Sequence, residues 1–284
     1  MTAETTRSVL KLAAEWLEKK GADAPRLDAE LLLASVLKKK RLDLYLDHDR
    51  PLTEGELEPF RALLRRRAAR EPIAYILGER EFFGLAFEVT RDVLVPRPDT
   101  EHLVVVAQEA VDKGAKVFAD VGTGSGCVAI SLMKHRDGLQ GFATDTSSAA
   151  LAVAKKNVEK HGVVGLELVE CDLLEKVPGP LDLIVSNPPY VLPSEKGSLE
   201  PELSFEPASA LFDTAEDLPT TRRLAEQARE RLATGGTLAV ETGAKTGELV
   251  RAILARAGFS EVRAVKDLDG HERVIVGRNP HPAT

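Results

Sequence analysis

Asn187-Pro188-Pro189-Tyr190 directly follows the apolar run Leu183-Ile184-Val185, and a glycine turn, Asp120-Val121-Gly122-Thr123-Gly124-Ser125-Gly126, lies upstream. Neither proline can donate to a sheet ladder, so the chain must leave the strand there as a rigid loop. The Asn187 side-chain carbonyl and the Pro188 main-chain carbonyl can then accept both hydrogens of one NH2 group. Tyr190 offers a face to a planar amide or base, which makes Asn187, Pro188 and Tyr190 the candidate catalytic residues, with Pro189 beside them. An amide or aryl amine nitrogen is a poor nucleophile because its lone pair is delocalised. Two acceptors on its hydrogens raise electron density on nitrogen and aim it at an electrophile. If that electrophile is already reactive, alignment supplies much of the remaining barrier reduction.

The glycine turn supplies the second half of the chemistry. Gly122, Gly124 and Gly126 let the backbone turn tightly and approach a ligand, and the helix that follows offers free N–H groups to a carboxylate or phosphate. The spacing departs from the G-x-G-x-x-G of dinucleotide binders, and a Walker lysine is absent. A mononucleoside cofactor bearing a carboxylate, such as S-adenosylmethionine, suits it better than NAD or ATP. Asp145 ends the next strand, about 20 residues on, where an acidic residue meets ribose hydroxyls in related folds. Asp172, after the third strand, can accept from an adenine amino group, with Leu173 packing beside the ring. Each Asp taken singly also reads as a cap or turn residue; Asp120, Asp145 and Asp172 together at strand ends outline a cofactor site. No cysteine–histidine pattern suggests a metal, and Cys127 and Cys171 read as reduced, packed thiols.

The elements that must hold these residues fall into two blocks. Residues 5–70 read as successive helices, with Val9, Leu10, Ala13 and Leu17 on one face and Leu27, Leu31, Leu32, Val36 and Leu37 on another. Asp23 stands as the cap of the second, with Pro25 in its first turn. Glu54 and Glu56 open a third, whose tail carries Arg61, Arg65, Arg66, Arg67 and Arg70: a solvated basic face, or a docking surface for an acidic or RNA-bearing partner. Residues 73–96 read as a β-rich linker with a hairpin turning near Gly84. Strands and helices then alternate: strands 116–120, 141–145, 166–169, 181–186 and 236–241, helices 127–135, 148–161, 217–232 and 246–257. Strand candidates near 261–266 and 272–277 meet across Asp267-Leu268-Asp269-Gly270, too short for a parallel crossover. The expected fold class is α/β: a doubly wound, mostly parallel, seven-stranded sheet with an antiparallel C-terminal hairpin, preceded by a small N-terminal helical domain.

Among 284 residues, 43% are hydrophobic and 5% aromatic, ample aliphatic material for a large core. The formal net charge of −7 lacks the basic footprint that phosphate backbones favour, so no direct nucleic-acid partner is expected. No apolar run reaches the roughly 18 residues of a membrane span, and no signal-peptide core stands at residues 1–15, so a cytoplasmic location is expected.

At these residues the chain resembles the HemK-type protein-(glutamine-N5) methyltransferases that modify peptide chain release factors. The likeness covers the helical N-terminal block, Glu71-Pro72-Ile73-Ala74-Tyr75-Ile76-Leu77-Gly78, Phe82-Phe83-Gly84, Val95-Pro96-Arg97-Pro98-Asp99-Thr100-Glu101, the glycine turn, the NPPY block, Phe205-Glu206-Pro207 with Ala210-Leu211, and Glu272-Arg273. The resemblance implies a Rossmann-like class I methyltransferase fold, S-adenosyl-L-methionine as donor with S-adenosyl-L-homocysteine as product, and class I release factors as protein substrate. The acceptor is then the glutamine of their Gly-Gly-Gln loop. It assigns Asp120, Gly122, Thr123, Gly124, Ser125, Gly126, Asp145, Asp172, Leu173 and Asn187 to the cofactor. Asn187, Pro188, Pro189 and Tyr190 go to the glutamine, and Thr100 and Glu101 to the substrate mouth. Leu173 stands where the family often has an aromatic residue, which leaves apolar contact in place of ring stacking. The implied organisation is 1–72 for release-factor docking, 73–96 for a hairpin linker and 97–284 for catalysis. NPPY is shared with adenine-N6 methyltransferases, so nucleic-acid methylation is the alternative; a donor-sensing or translation-factor-docking module without catalysis is a third reading.

Overall fold

The structure is a computed structural model that describes residues 4–197 and 199–280. The chain forms two compact units, Met1–Glu79 with Glu200–Phe205, and Arg80–Leu199 with Glu206–Thr284.

The first unit holds helices α1 (Thr6–Lys19), α2 (Pro25–Leu37), α3 (Arg41–Leu46), α4 (Glu54–Ala68) and α5 (Ile73–Leu77). Thr5 caps α1, and the Glu56 carboxylate reaches back to the Thr53 amide at 2.9 Å to close the first turn of α4. Leu17, Leu32, Leu33 and Phe60 fill the centre of the core. Two details depart from the expected pattern. Ala24, not Asp23, is the N-cap of α2, where no side chain caps the helix and Pro25 supplies the pre-set first turn. The buried face of α2 carries Asp28 and Glu30, while Leu27 is exposed. Each buried carboxylate has cationic partners: Glu30 accepts from Arg26 (3.0 Å), Arg41 (2.9 Å) and Tyr45, and Asp28 accepts from Arg67 at 2.7 Å.

Within the basic cluster of α4, Arg65 and Arg66 are exposed, while Arg61, Arg66, Arg67 and Arg70 pair with carboxylates. Arg67 is buried between Asp28 and Glu202, and Arg70 also binds Glu202 at 2.7 Å. Arg66 makes a two-pronged pair with Glu71, and Arg61 meets Glu54, Glu58 and Glu4. Removing one member of a buried ion pair strands the other charge. Arg67→Ala should accordingly lower stability by about 3–5 kcal/mol, read as a shifted urea midpoint; an unchanged midpoint would contradict this packing.

The second unit begins with a hairpin, β1 (Glu79–Phe82) and β2 (Leu85–Glu88), turning at Phe83-Gly84. Helix α6 (Glu101–Asp112), which the strand-and-helix alternation read from Lys116 onward passes over, buries Leu103, Val104, Val106 and Ala107. There follow β3 (Val117–Val121), α7 (Cys127–His135), β4 (Gln140–Asp145), α8 (Ser148–His161), β5 (Leu166–Glu170) and β6 (Leu181–Ser186). Then come α9 (Ala208–Leu211), α10 (Pro219–Arg231), β7 (Leu232–Glu241), α11 (Gly247–Arg256), β8 (Ser260–Lys266) and β9 (Glu272–Arg278). The seven strands lie in the order β5-β4-β3-β6-β7-β9-β8. β3 to β7 pair in parallel, and β9 runs antiparallel to both β7 and β8, as the short Asp267–Gly270 connection requires. Separate apolar layers centred on Leu174, Leu181 and Leu224, and on Leu103, Ile130 and Leu132, form the core. Both cysteines are free and buried. Among the described residues no helix is long and apolar enough to cross a membrane.

Candidate active site

Strand order reverses at β3, which has β4 on one side and β6 on the other, and open α/β sheets take ligands at that point. A cavity of about 350 Å³ opens there, lined by the glycine turn, Asp145, Asp172, Leu173, Thr100 and Asn187 to Pro189.

The turn is held by its own side chains. Asp120 is buried, and its Oδ2 accepts from Thr123 Oγ1 (2.7 Å) and from the Ala129 amide (3.2 Å) inside α7. Burial pushes its pKa up to about 6, against those two hydrogen bonds and with a further rise from the Asp145 charge. Asp120 thus shapes the turn from beneath. Gly122 (φ 71°) and Gly124 (φ 54°) take left-handed backbone, and among the described residues nothing lies within 4 Å of the space a Cβ would fill at either. Because both line the cavity, they leave a cradle open to a ligand. Gly126 has a different reason to be glycine: it is the left-handed N-cap of α7, where a Cβ would meet Ile130 Cδ1 at 2.9 Å.

Asp145 closes the cradle from β4. One carboxylate oxygen accepts from the Gly124 amide at 3.0 Å and the other from the Ser147 amide at 2.9 Å. Each oxygen keeps lone-pair capacity for another donor. Asp172 lines the same cavity but is paired with Arg223 at 2.6 Å, a partner 51 positions away that spacing alone does not reveal. Leu173 sits at φ 49°, with its carbonyl held by Thr144 Oγ1 at 2.9 Å and its side chain buried at the cavity wall.

On the β6 side, Ser186 Oγ donates to the Val121 carbonyl at 2.8 Å and ties the strand end to β3. Asn187 Nδ2 donates to Thr100 Oγ1 at 3.3 Å, which turns the amide so that Oδ1 remains as an acceptor. Thr100 is buried and lines the cavity. Tyr190 and Glu101 lie outside the lining. An added Cβ at Gly243 would meet the Tyr190 ring at 3.1 Å, so the ring packs against that glycine. Burial pushes the Tyr190 hydroxyl up to about 12, with the Glu241 charge adding to the rise. Glu101 is occupied elsewhere: its Oε1 accepts from the Phe83 amide at 3.0 Å and anchors the hairpin.

Three supporting residues received no role from the sequence. Asn157, fully buried on α8, binds both backbone groups of Glu88 (2.7 and 2.9 Å) and the Ser125 carbonyl (2.9 Å), joining hairpin to glycine turn. Glu206 accepts from the Val95 amide at 3.1 Å and from Arg97, which fixes the wall at Pro96-Arg97. Glu241, at the end of β7, is buried, and among the described residues its Oε2 has no hydrogen-bond partner. A charged residue interrupting an apolar strand was the available signal for Glu241; Asn157 offered none.

Residues 8–78 match the PrmC N-terminal domain, and residues 100–203 match the methyltransferase small domain. A release factor glutamine methyltransferase of Geobacter sulfurreducens is 40% identical over 276 residues, covering 96% of each chain. One from Cereibacter sphaeroides is 40% identical over 275 residues, again 96% of each. The chain belongs to the release factor glutamine methyltransferase family. Likeness to a more distant member of the fold agrees: the rRNA methyltransferase RsmC of T. Thermophilus, solved in complex with AdoMet and guanosine, superposes at a TM-score of 0.52 with 17% identity. That match covers 70% of this chain and 49% of RsmC. At such identity it speaks for the α/β methyltransferase fold alone. For this glutamine methyltransferase family member, Asn187 and the glycine cradle thus lie at the carboxyl ends of neighbouring strands, β6 and β3.

Proposed function

We propose that this chain transfers a methyl group from S-adenosyl-L-methionine to the side-chain amide nitrogen (N5) of the glutamine in the Gly-Gly-Gln loop of class I release factors. The observation that carries the reading is the Asn187 carboxamide, its nitrogen committed to Thr100 and its oxygen left as an acceptor at the cavity wall. Relatives aligned over nearly the whole chain bear the name of that activity, which disfavours the adenine-N6 alternative.

The open cradle at Gly122 and Gly124, followed by the α7 N-terminus, suits the carboxylate end of the donor. Asp120, Thr123, Ser125 and Gly126 shape that turn, Asp145 offers acceptors for ribose hydroxyls, Asp172 and Leu173 border the adenine, and Asn187 closes the methyl end. When bound, S-adenosylmethionine supplies a methyl carbon attached to a positively charged sulfur. The rest falls to the chain. Asn187 Oδ1 and the Pro188 carbonyl accept the two N–H bonds of the glutamine amide, and Pro188 and Pro189 keep that loop stiff. Pinning both hydrogens raises electron density on nitrogen and limits its rotation, so the cost of alignment falls at binding. Tyr190 backs the loop as a neutral phenol. The amide proton is lost to solvent after methylation, when the nitrogen is strongly acidic, so no general base is required beforehand.

The helical unit is the release-factor docking module in this reading. It exposes Leu12, Trp16, Leu42, Tyr45 and Leu46, apolar surface suited to a protein partner. Mass spectrometry of a release factor incubated with this protein and donor tests the proposal. One added methyl group on the loop glutamine, absent when that residue is changed to glutamate, is expected; an unmodified release factor would overturn it.

A further inference from the structure

Asp172 and Leu173 lie on a turn that the residue types alone do not favour. The Glu175 amide donates to the Asp172 carbonyl at 3.1 Å, which closes a four-residue turn with Leu173 at its first central position. Leu173 stands there at φ 49°. Glycine, asparagine and aspartate dominate such positions, because a Cβ crowds the left-handed backbone. A leucine held in that region marks a conformation that its surroundings must impose.

The imposing groups grip one peptide unit from both ends. The Leu173 carbonyl accepts from Thr144 Oγ1 at 2.9 Å and from Cys171 Sγ at 3.4 Å. The N–H of the same peptide, on Leu174, donates to Gln227 Oε1 at 2.9 Å. With both groups held, the peptide plane is fixed, and the Leu173 backbone is fixed with it. Leu174 is fully buried, so its amide has no water to turn to if that oxygen is lost. Gln227 projects from α10, whose buried Leu224, Ala225 and Ala228 anchor the helix. Arg223, one turn earlier on the same face, holds Asp172 Oδ2 at 2.6 Å. Leu173, Thr144 and Arg223 line the cavity, and Gln227 lies outside the lining.

We infer that Gln227 is a positioning residue for the methyl donor: with Thr144 it clamps the Leu173–Leu174 peptide and so keeps the Leu173 side chain at the cavity wall. This rests on the donor site read above. Gln227 touches no ligand; it acts through the peptide. Without its oxygen, the Leu174 amide must find another acceptor and the turn relaxes toward ordinary backbone. The apolar wall beside the adenine is then lost.

Calorimetry with S-adenosyl-L-homocysteine compares wild type with Gln227→Leu, Gln227→Glu and Thr144→Val, each checked by thermal melting. Gln227→Leu should weaken binding by about tenfold to thirtyfold, the scale of one buried amide left without its acceptor. Gln227→Glu keeps an oxygen there and should stay within about threefold of wild type. Thr144→Val frees the other end of the peptide and should weaken binding too. A Leu173→Gly background separates positioning from general loosening. Glycine has no side chain to place at the wall, so Gln227→Leu should then cost less than about twofold. Should Gln227→Leu not fold, Thr144→Val in the two backgrounds decides by the same comparison. An unchanged affinity in Gln227→Leu, or an equal loss in both backgrounds, would overturn the inference. A wild-type protein that binds S-adenosyl-L-homocysteine yet leaves release factor unmethylated would remove the methyl-transfer reading alone, and the same affinities would still decide the role of Gln227.

Discussion

Asn187→Ala should lower kcat for methyl transfer to release factor by on the order of a thousandfold, the scale seen when one preorganised polar contact to a reacting group is removed. The same variant should bind S-adenosylmethionine within about threefold of wild type, because the lost oxygen is used on the incoming amide. The geometry makes this split specific. Asn187 Nδ2 is tied to Thr100, so the side chain has one free polar atom, and it is an acceptor. Alanine leaves the Pro188 carbonyl alone to hold one of two hydrogens, and the nitrogen is free to turn. The stiff Pro188-Pro189 loop and the Ser186–Val121 tie remain, so the fold should survive. Single-turnover kinetics beside calorimetry of donor binding gives both quantities; comparable kcat would contradict the two-acceptor grip.

Asp145→Ala should act on the other ligand. Losing charged hydrogen bonds to ribose hydroxyls should weaken donor binding by about 1.5–3 kcal/mol, roughly tenfold to 150-fold in Kd. A second effect adds to the first. The Asp145 carboxylate also holds the Gly124 and Ser147 amides, so its removal frees the glycine turn that it braces. Asp145→Asn should lose much of the affinity as well, since its NH2 group faces an amide N–H where an acceptor is needed. Release-factor KM should change little in either. Calorimetry decides, and an unchanged Kd would refute the assignment of Asp145.

The parts that were legible in the sequence are those where local chemistry leaves little choice. Leu181–Ser186 spans the same residues in the expectation and in the structure, because the apolar run Leu183–Val185 is closely followed by the Pro188-Pro189 pair, which cannot continue a strand. Cys127–His135 does so too, because left-handed Gly126 starts it. Asp267–Gly270 admits only a tight connection, so the antiparallel end of the sheet follows from length. What stayed hidden depends on pairing at a distance. Hydrophobic spacing put Leu27 on the inner face of α2, but Arg67 on α4 and Arg41 on α3 draw Asp28 and Glu30 inward. Asp172 reads as a free acceptor until Arg223 is found beside it, and Arg66, Arg67 and Arg70 read as one basic surface until Glu71 and Glu202 neutralise them. Glu241 and Asn157 matter because of what surrounds them when buried, which composition and spacing do not encode.

A crystal structure with S-adenosyl-L-homocysteine and a glutamine-bearing release-factor loop examines the amide grip most directly. The glutamine nitrogen should lie about 3 Å from both Asn187 Oδ1 and the Pro188 carbonyl, with its remaining face toward the sulfur. A glutamine nitrogen bonded to neither oxygen, or Asn187 swung away from Thr100 in the complex, would contradict it.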